Sequence, residues 1–441
     1  MSDEEEAERP ISPSRRQFLK YTATAAIAAA VAGSIGFYAG SYVFPAKTSS
    51  AVTPVKLGGT LPLTGAAAAD GQAFYRGYQL AISKINQSGG ILGRPVQLII
   101  YDDALDPTQT TTLYNKLVSQ DNVDILLGPY GGGVSVPAAG VAAQNDKLMI
   151  CGFTSVQSLH QQYGGSSFFA IDSNVLGAGG DENNVIDFLN HSSQWNTKNA
   201  PLKKLSILDL NTAFGQDAWT AMQPIYSQNG YDVVYHDFVD TSTSDYTPIV
   251  ENALAAGPDV LLATLYEYMD EGVIAALIQQ KPSNLQFVYG FEVNDHLAFS
   301  DLGGAVNNIT YLDVFPSTYH GGDADYLRQQ WQSLYGFAPR YEEPSAYAAP
   351  ELIANVVNSV GSLDKSKIIS ALTSQSFDTC YTKVQFDSKG HNLQFLPSVG
   401  QWQNSQYQVI WPGSSAESST ASPIYPYVPG SSSTSTSSAS T

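Results

Sequence analysis

Short apolar runs alternate with amphipathic stretches along most of this chain, and the alternation starts over midway. The spacing predicts strands over 55–61, 95–101, 124–127 and 148–151, with helices over 71–87, 108–120 and 136–145 between them. A second series begins near residue 202. It predicts strands over 205–210, 233–238, 260–264 and 286–290, and helices over 218–229, 248–256 and 271–280. Alternation of this kind with short connections implies parallel, doubly wound sheets rather than a bundle or a sandwich. Two series in tandem imply two α/β lobes. Each lobe presents loops at the carboxyl ends of its strands, so two lobes facing each other line one cleft.

The N-terminus reads as an address. An acidic, polar opening leads to Ser14-Arg15-Arg16-Gln17-Phe18-Leu19-Lys20 and then to an apolar stretch over 21–44. The motif resembles the twin-arginine export signal, which implies the twin-arginine translocase as a partner and transport of an already folded chain. A stretch of about 24 apolar residues is long enough to span a bilayer. Phe44-Pro45-Ala46 is a poor cleavage site, which favours a retained membrane anchor over a cleaved signal. The expected layout is therefore a cytoplasmic n-region at 1–20, a signal or anchor helix at 21–44 and a linker at 45–52. The rest of the chain is expected outside the cytoplasm, at the cell surface or in a periplasm. From 413 the sequence is rich in Ser, Thr and Pro, which predicts a disordered tail over 413–441. Asn86, Asn190 and Asn308 open Asn-x-Ser/Thr sequons, which fit an exported surface but are common by chance.

Composition narrows the partners. Forty acidic against 21 basic side chains give a formal charge of -19, which repels nucleic acid. Charged residues make up 14% of the chain, below the usual quarter or so, which fits either acidic surroundings or compositional drift. An apolar fraction of 43% excludes general disorder, and 441 residues suit about two lobes plus tails. Cys151 and Cys380 have no metal-type spacing. A disulfide between them is permitted in an exported protein, and buried free thiols are the other reading.

Four stretches of the first series carry a resemblance: Leu61-Pro62-Leu63-Thr64-Gly65, then Ile85-Asn86-Gln87-Ser88-Gly89-Gly90-Ile91-Leu92-Gly93, then Tyr101-Asp102-Asp103-Ala104-Leu105-Asp106-Pro107, then Gly128-Pro129-Tyr130. In this order and spacing they resemble the leucine/isoleucine/valine-binding protein family, type I periplasmic solute-binding proteins of ABC importers. The likeness continues more thinly through Ala213-Phe214-Gly215 and Phe377-Asp378 to Asp387-Ser388-Lys389-Gly390, and spans roughly 53–412. It implies an α/β fold of two doubly wound parallel-sheet lobes joined by a hinge of three crossings. Crossings are expected near 172–173, 313–316 and 378–382. Lobe 1 would then hold 53–172 and 316–378, and lobe 2 would hold 173–315 and 379–412.

The resemblance also implies a function. Such a protein captures an amino acid, of branched-chain type first, or a related small amide by hinge closure, and delivers it to an ABC permease. It uses no cofactor. A ligand-sensing receptor ectodomain that signals through a separate membrane partner is the alternative.

Family members hold the ligand mainly on lobe 1. The carboxylate lies at a helix N-terminus, here Gly131-Gly132-Gly133 before a helix expected from Val134. The family often offers a Ser hydroxyl where this chain has Gly132, so only backbone donors remain. Phe153 and Ser155 follow the strand over 148–151 and are expected to contact the amino and carboxylate groups; Thr154 takes that place if the register shifts by one. In lobe 2, Phe214 is expected to cover the ligand. Tyr266 or Glu267, with Tyr268 beside them, supply a further contact whose register stays open. Glu292 is expected to pair with the ligand ammonium. Asp70 replaces an aromatic residue common in the family, and would either suit a ligand with an extra positive or hydrogen-bonding group or face solvent.

An enzyme is disfavoured. The six histidines sit in no metal-binding or hydrolase context, and no phosphate loop or dinucleotide fingerprint is present. Asp102 and Asp103 are adjacent at a strand end, where side chains point to opposite faces, so they do not form an acid–base pair.

Overall fold

The computed structural model of the protein describes residues 41–43, 52–154, 156–172, 181–198, 200–290, 306–315, 319–336, 338–395, 398–404, 406–411 and 421–427. The first sheet is built from β1 (Ser41–Val43), β2 (Val55–Leu61), β3 (Val96–Asp102), β4 (Ile125–Leu127), β5 (Met149–Phe153) and β6 (Phe168–Asp172), in the order β1-β3-β2-β4-β5-β6. All its pairings are parallel except β1 against β3. The helices α1 (Ala68–Gln87), α2 (Pro107–Ser119), α3 (Gly132–Gln144) and α4 (Gln157–Tyr163) follow β2 to β5 in turn.

Local sequence sets these boundaries. The Ile-Leu-Leu run of β4 is buried at every position, as a parallel strand covered by helices on both faces requires. Asp106 caps α2 by accepting the Gln109 amide at 2.7 Å, and Pro107 takes the first helical position, where no amide is needed. Along α1, Phe74, Tyr78, Ile82 and Ile85 recur at helical spacing and form its buried stripe.

The second sheet comprises β7 (Lys204–Leu210), β8 (Asp232–Val239), β9 (Val260–Thr264), β10 (Phe287–Gly290), β11 (Ile309–Asp313), β14 (Ser398–Gln403) and β15 (Gln406–Trp411). Its order is β15-β14-β11-β10-β9-β7-β8, parallel from β8 to β11 and antiparallel beyond. The helices α5 (Asp181–Asn190), α6 (Ala213–Gln228), α7 (Thr247–Ala255) and α8 (Glu267–Gln280) belong to this lobe. The helices α9 (Ala324–Tyr335), α10 (Glu342–Val360) and α11 (Lys365–Ser374) return to the first, where α10 packs along α1 and under β5. The hairpin β12 (Phe377–Asp378) and β13 (Lys383–Val384) lies beside α10.

The chain passes between lobes after Asp172, between Asp313 and Tyr319, and between Phe395 and Ser398. The third comes later than 378–382, because 383–395 pack on the first lobe: His391 bridges Ala170, Phe386 sits edge-on to Phe169 at 5.1 Å, and the Asn392 amide donates to Ile171 O at 3.0 Å.

Two further expectations need correction. Ser41–Val43, placed in the apolar helix over 21–44, are extended and pair with the free edge of β3. Within the expected tail, 421–427 pack on lobe 2, where Ile424 N donates to Gln401 Oε1 at 2.7 Å and Tyr427 is 2% exposed. Apolar side chains in Pro423-Ile424-Tyr425-Pro426-Tyr427 give this piece something to bury, which a Ser/Thr count overlooks. Among the described residues no helix is long and apolar enough to cross a membrane; 1–40 lie outside them, including Arg15 and Arg16. Cys151 and Cys380 are both free and buried.

Candidate functional site

Each sheet reverses its strand order beside its first parallel strand, between β2 and β4 in lobe 1 and between β7 and β9 in lobe 2. Loops leaving two such strands diverge to opposite faces and open a crevice at their carboxyl ends. In lobe 1 the loop after β4 carries Gly131, Gly132 and Gly133. In lobe 2 the loops after β7 and β9 carry Phe214 and Tyr266. The two crevices meet.

The contacts between them are close. A β-carbon on Gly131 would stand 3.0 Å from Tyr266 Oη, and one on Gly132 would stand 2.8 Å from Phe214 Cβ. Next to Gly133 there is nothing within 4 Å. Elsewhere along the seam, Ser158 N donates to the Asp217 carboxylate at 3.0 Å, joining α4 to α6. A side chain at Gly132 would also meet Val156 Cγ2 at 2.9 Å, so Phe214 and Val156 together leave room only for glycine there.

Helix α3 begins at Gly132, two residues before the expected start, so Gly131 is its cap and the next two glycines lie in its first turn. Its first backbone bond runs from Ser135 N to Gly131 O at 3.1 Å, and the amides of Gly132, Gly133 and Val134 have no acceptor within the helix. Such an end suits an anion. Gly131 has φ +96°, a conformation that glycine enters at little cost.

Aromatic rings surround this point. Tyr130 lies 5.9 Å from Tyr266 across the seam and 5.1 Å from Phe74 beneath it. Phe153 lies 4.8 Å from Tyr341, whose hydroxyl is 3.3 Å from that of Tyr130. Tyr268 stacks 6.1 Å from Tyr266 and donates to Thr241 O at 3.0 Å, while Tyr266 is the one against Gly131. Glu267 opens α8, and its side chain lies outside the described residues. Thr154 is buried; its hydroxyl donates to Phe153 O at 2.5 Å and lies 3.1 Å from Ser135 Oγ, inside lobe 1. Ser155 and Glu292 lie outside the described residues.

Asp70 is 2% exposed, which removes the solvent-facing reading. It stands one turn before Phe74, on the same face of α1. Beside it is an ionic cluster that sequence reasoning missed. The Arg340 guanidinium is buried 3.4 Å from Glu342 and 3.7 Å from Glu343, and its Nη2 is 3.4 Å from Ala69 O. Arg76 meets Glu343 at 3.1 Å. The available signal was Arg340-Tyr341-Glu342-Glu343 opening a helix that is buried from Glu342 to Ala354. Acids so placed need cations beside them.

The acid pair after β3 is structural. Asp102 accepts the Leu63 and Ala104 amides at 2.9 and 3.0 Å and the Thr64 hydroxyl at 2.7 Å. Asp103 accepts the Thr60 hydroxyl at 2.6 Å and the Leu105 amide at 2.9 Å. Burial pushes the Asp103 carboxyl up to about 6 although both bonds favour the ionised form. In lobe 2, buried Asp209 on β7 bonds His236 Nε2 at 2.9 Å beneath the Phe214 loop. Among the described residues no group of three or more His, Cys, Asp or Glu is placed to hold a metal ion.

Known proteins share this fold. The family described as periplasmic binding protein matches residues 54–406. Leu/Ile/Val-binding protein homolog 2 of Brucella abortus is 25% identical over 339 residues, covering 76% of this chain and 87% of the relative. A branched-chain amino acid transporter substrate-binding protein of Streptococcus pneumoniae, solved with isoleucine, superposes with a TM-score of 0.67 at 17% identity, covering 85% of this chain and all of the other. An ABC-transporter solute-binding protein of R. palustris, solved with benzoate, gives 0.70 at 17% identity, with 83% and 98% covered. The crossings, the two doubly wound lobes and the matched length agree: this chain belongs to the periplasmic binding protein family.

Proposed function

We propose that this chain captures an amino acid, of branched-chain type first, or a related small solute between its lobes and delivers it to an ABC permease. Relatives in the family are solute-binding proteins of ABC transporters and not enzymes. The observation that carries the proposal is the meeting of the two switch-point crevices, with Tyr266 over Gly131 and Phe214 over Gly132.

In this reading the ligand carboxylate takes the amides at the start of α3, where the helix dipole adds to three donors. Phe153, with Thr154 or Ser155, contacts the ligand from lobe 1. Phe214 and Tyr266 close over it, with Glu267 beside them. Glu292 pairs with the ammonium, a charge-assisted bond contributing roughly 1.5–3 kcal/mol once desolvated. Asp70 sets a polar limit at the inner end. Closure about the hinge is the general behaviour of two-lobed binders, and the ligand shifts the population towards the closed form. Export through the twin-arginine translocase on the Arg15-Arg16 motif, with the apolar segment that follows as membrane anchor, accords with an extracytoplasmic place of work.

A thermal-shift screen of the purified protein against amino acids, amides and aromatic acids tests this. A ligand at about 100 times its dissociation constant should add about 2.7 kcal/mol of stability. An amino-acid hit lost in Glu292→Ala supports the full assignment. A hit confined to a benzoate-like acid keeps solute capture and removes the ammonium role. If no compound stabilises the protein, solute capture itself is wrong.

A further inference from the structure

Helix α6 of lobe 2 meets lobe 1 along its first turns. Ala213 and Phe214, its opening residues, pack against an apolar cluster of lobe 1 that includes Val156 and Leu159. Asp217 follows Phe214 by three residues, so the two share the face of α6 turned to lobe 1. Its carboxylate Oδ2 accepts the backbone amide of Ser158 at 3.0 Å. Ser158 is the second residue of α4, where an amide has no acceptor within its own helix. A donor that the lobe 1 helix leaves over is thus taken up by an acceptor from lobe 2.

Each end of this bond is fixed in its own lobe. On the lobe 2 side the Thr212 hydroxyl caps α6 by accepting the Gly215 amide, and a β-carbon on Gly215 would collide with Leu210 O, so the helix start is pressed onto the end of β7. On the lobe 1 side His160 of α4 has its Nδ1 3.0 Å from Lys389 O and stacks on His391 at 4.2 Å, which holds α4 on the 387–391 turn. Neither end can follow the other when the hinge opens. The bond is therefore made only at the closed angle.

It also lies apart from the groups offered to a ligand. Those are the amides of Gly132, Gly133 and Val134 at the start of α3, with Phe214 and Tyr266 over them. Asp217 is turned to α4 instead.

We propose that Asp217 is an affinity-setting residue outside the ligand site: its bond to Ser158 stabilises the closed arrangement and tightens the hold on any solute in the cleft without touching it. The effect on affinity rests on the solute-capture reading; the bond between the lobes does not. Apparent affinity scales with the fraction of molecules able to close, so loss of the bond weakens every captured compound by one common factor. A hydrogen bond to a charged acceptor at a part-exposed site sets that factor at roughly three- to tenfold.

Two measurements test this. In the ligand-free protein, hydrogen exchange of peptides covering Val156–Tyr163 should be faster in Asp217→Ala and restored in part in Asp217→Asn, which keeps an oxygen acceptor. In calorimetric titration with each compound found by thermal shift, Asp217→Ala should raise the dissociation constant by the same roughly three- to tenfold and leave the order of preference unchanged. Alanine is a strong helix former, so α6 is kept. Ser158→Pro removes the donor in the first turn of α4, where proline is tolerated, and in that background Asp217→Ala should have no further effect. Unchanged exchange in Asp217→Ala overturns the proposal. So does a loss confined to one compound, which would make Asp217 a ligand contact, and so does a full further loss in the Ser158→Pro background. Faster exchange without capture of any compound upholds the bond between the lobes and overturns solute capture, with the affinity role built on it.

Discussion

Tyr266 of lobe 2 places its hydroxyl oxygen 3.0 Å from the position a β-carbon would take on Gly131 of lobe 1. The glycine is required twice over, by that contact and by its φ of +96°. Its neighbour Gly132 is pressed in the same way by Phe214. One loop of lobe 1 and two of lobe 2 thus fit each other only while both glycines lack side chains.

Gly131→Ala should lower stability by about 1–3 kcal/mol through backbone strain and weaken ligand response as well. Adding Tyr266→Phe removes the hydroxyl contact but leaves the strain. Thermal unfolding with and without ligand should therefore show response returning while the ligand-free midpoint stays low. Full recovery of the midpoint would mean that strain at Gly131 is negligible.

Gly132→Ser restores the family's hydroxyl but sets a β-carbon 2.8 Å from Phe214 Cβ. The expected result is a folded protein with affinity reduced about tenfold, roughly 1.4 kcal/mol. Combining it with Phe214→Gly, which removes the opposing carbon, should recover part of that loss in calorimetric titration. Tighter binding by the single variant would show that the serine fits and that Phe214 yields.

Arg340→Ala removes the cation 3.4 Å from buried Glu342 and leaves Glu343 with Arg76. Breaking a buried pair from one side costs about 3–5 kcal/mol, so the denaturant midpoint should fall steeply. A change under about 1 kcal/mol would place the cluster in contact with water.

Asp103 carries a raised folded-state value, about 6 against 3.8. Its contribution is therefore present below pH 3.8 and is lost as pH rises through 6, on the order of 3 kcal/mol in all. Asp103→Asn keeps the shape and should flatten that part of the stability–pH curve measured by chemical denaturation. A curve as steep as the wild type's would assign the slope to other groups.

Much of the fold was legible because its strands are short apolar runs between amphipathic helices, as at Ile125–Leu127 and its flanking segments. Strand ends and family likeness singled out Phe214 and Tyr266, which lie against Gly132 and Gly131. Tyr130, Tyr341 and Arg340 were not legible, because they converge from loops separated by more than 200 residues of sequence, as the Tyr130–Tyr341 separation of 211 shows. No periodicity records such a meeting. The third crossing was placed early for a similar reason: Asn392 and His391 are polar and loop-like in sequence, yet their bonds to Ile171, Ala170 and Lys383 hold that stretch on lobe 1.

Capture by closure is tested most directly by small-angle X-ray scattering of the protein with and without the compound selected by thermal shift. Closure predicts a smaller radius of gyration with ligand, and a Gly132→Ser protein that needs about tenfold more ligand to compact. Identical scattering curves with and without a saturating ligand would contradict it.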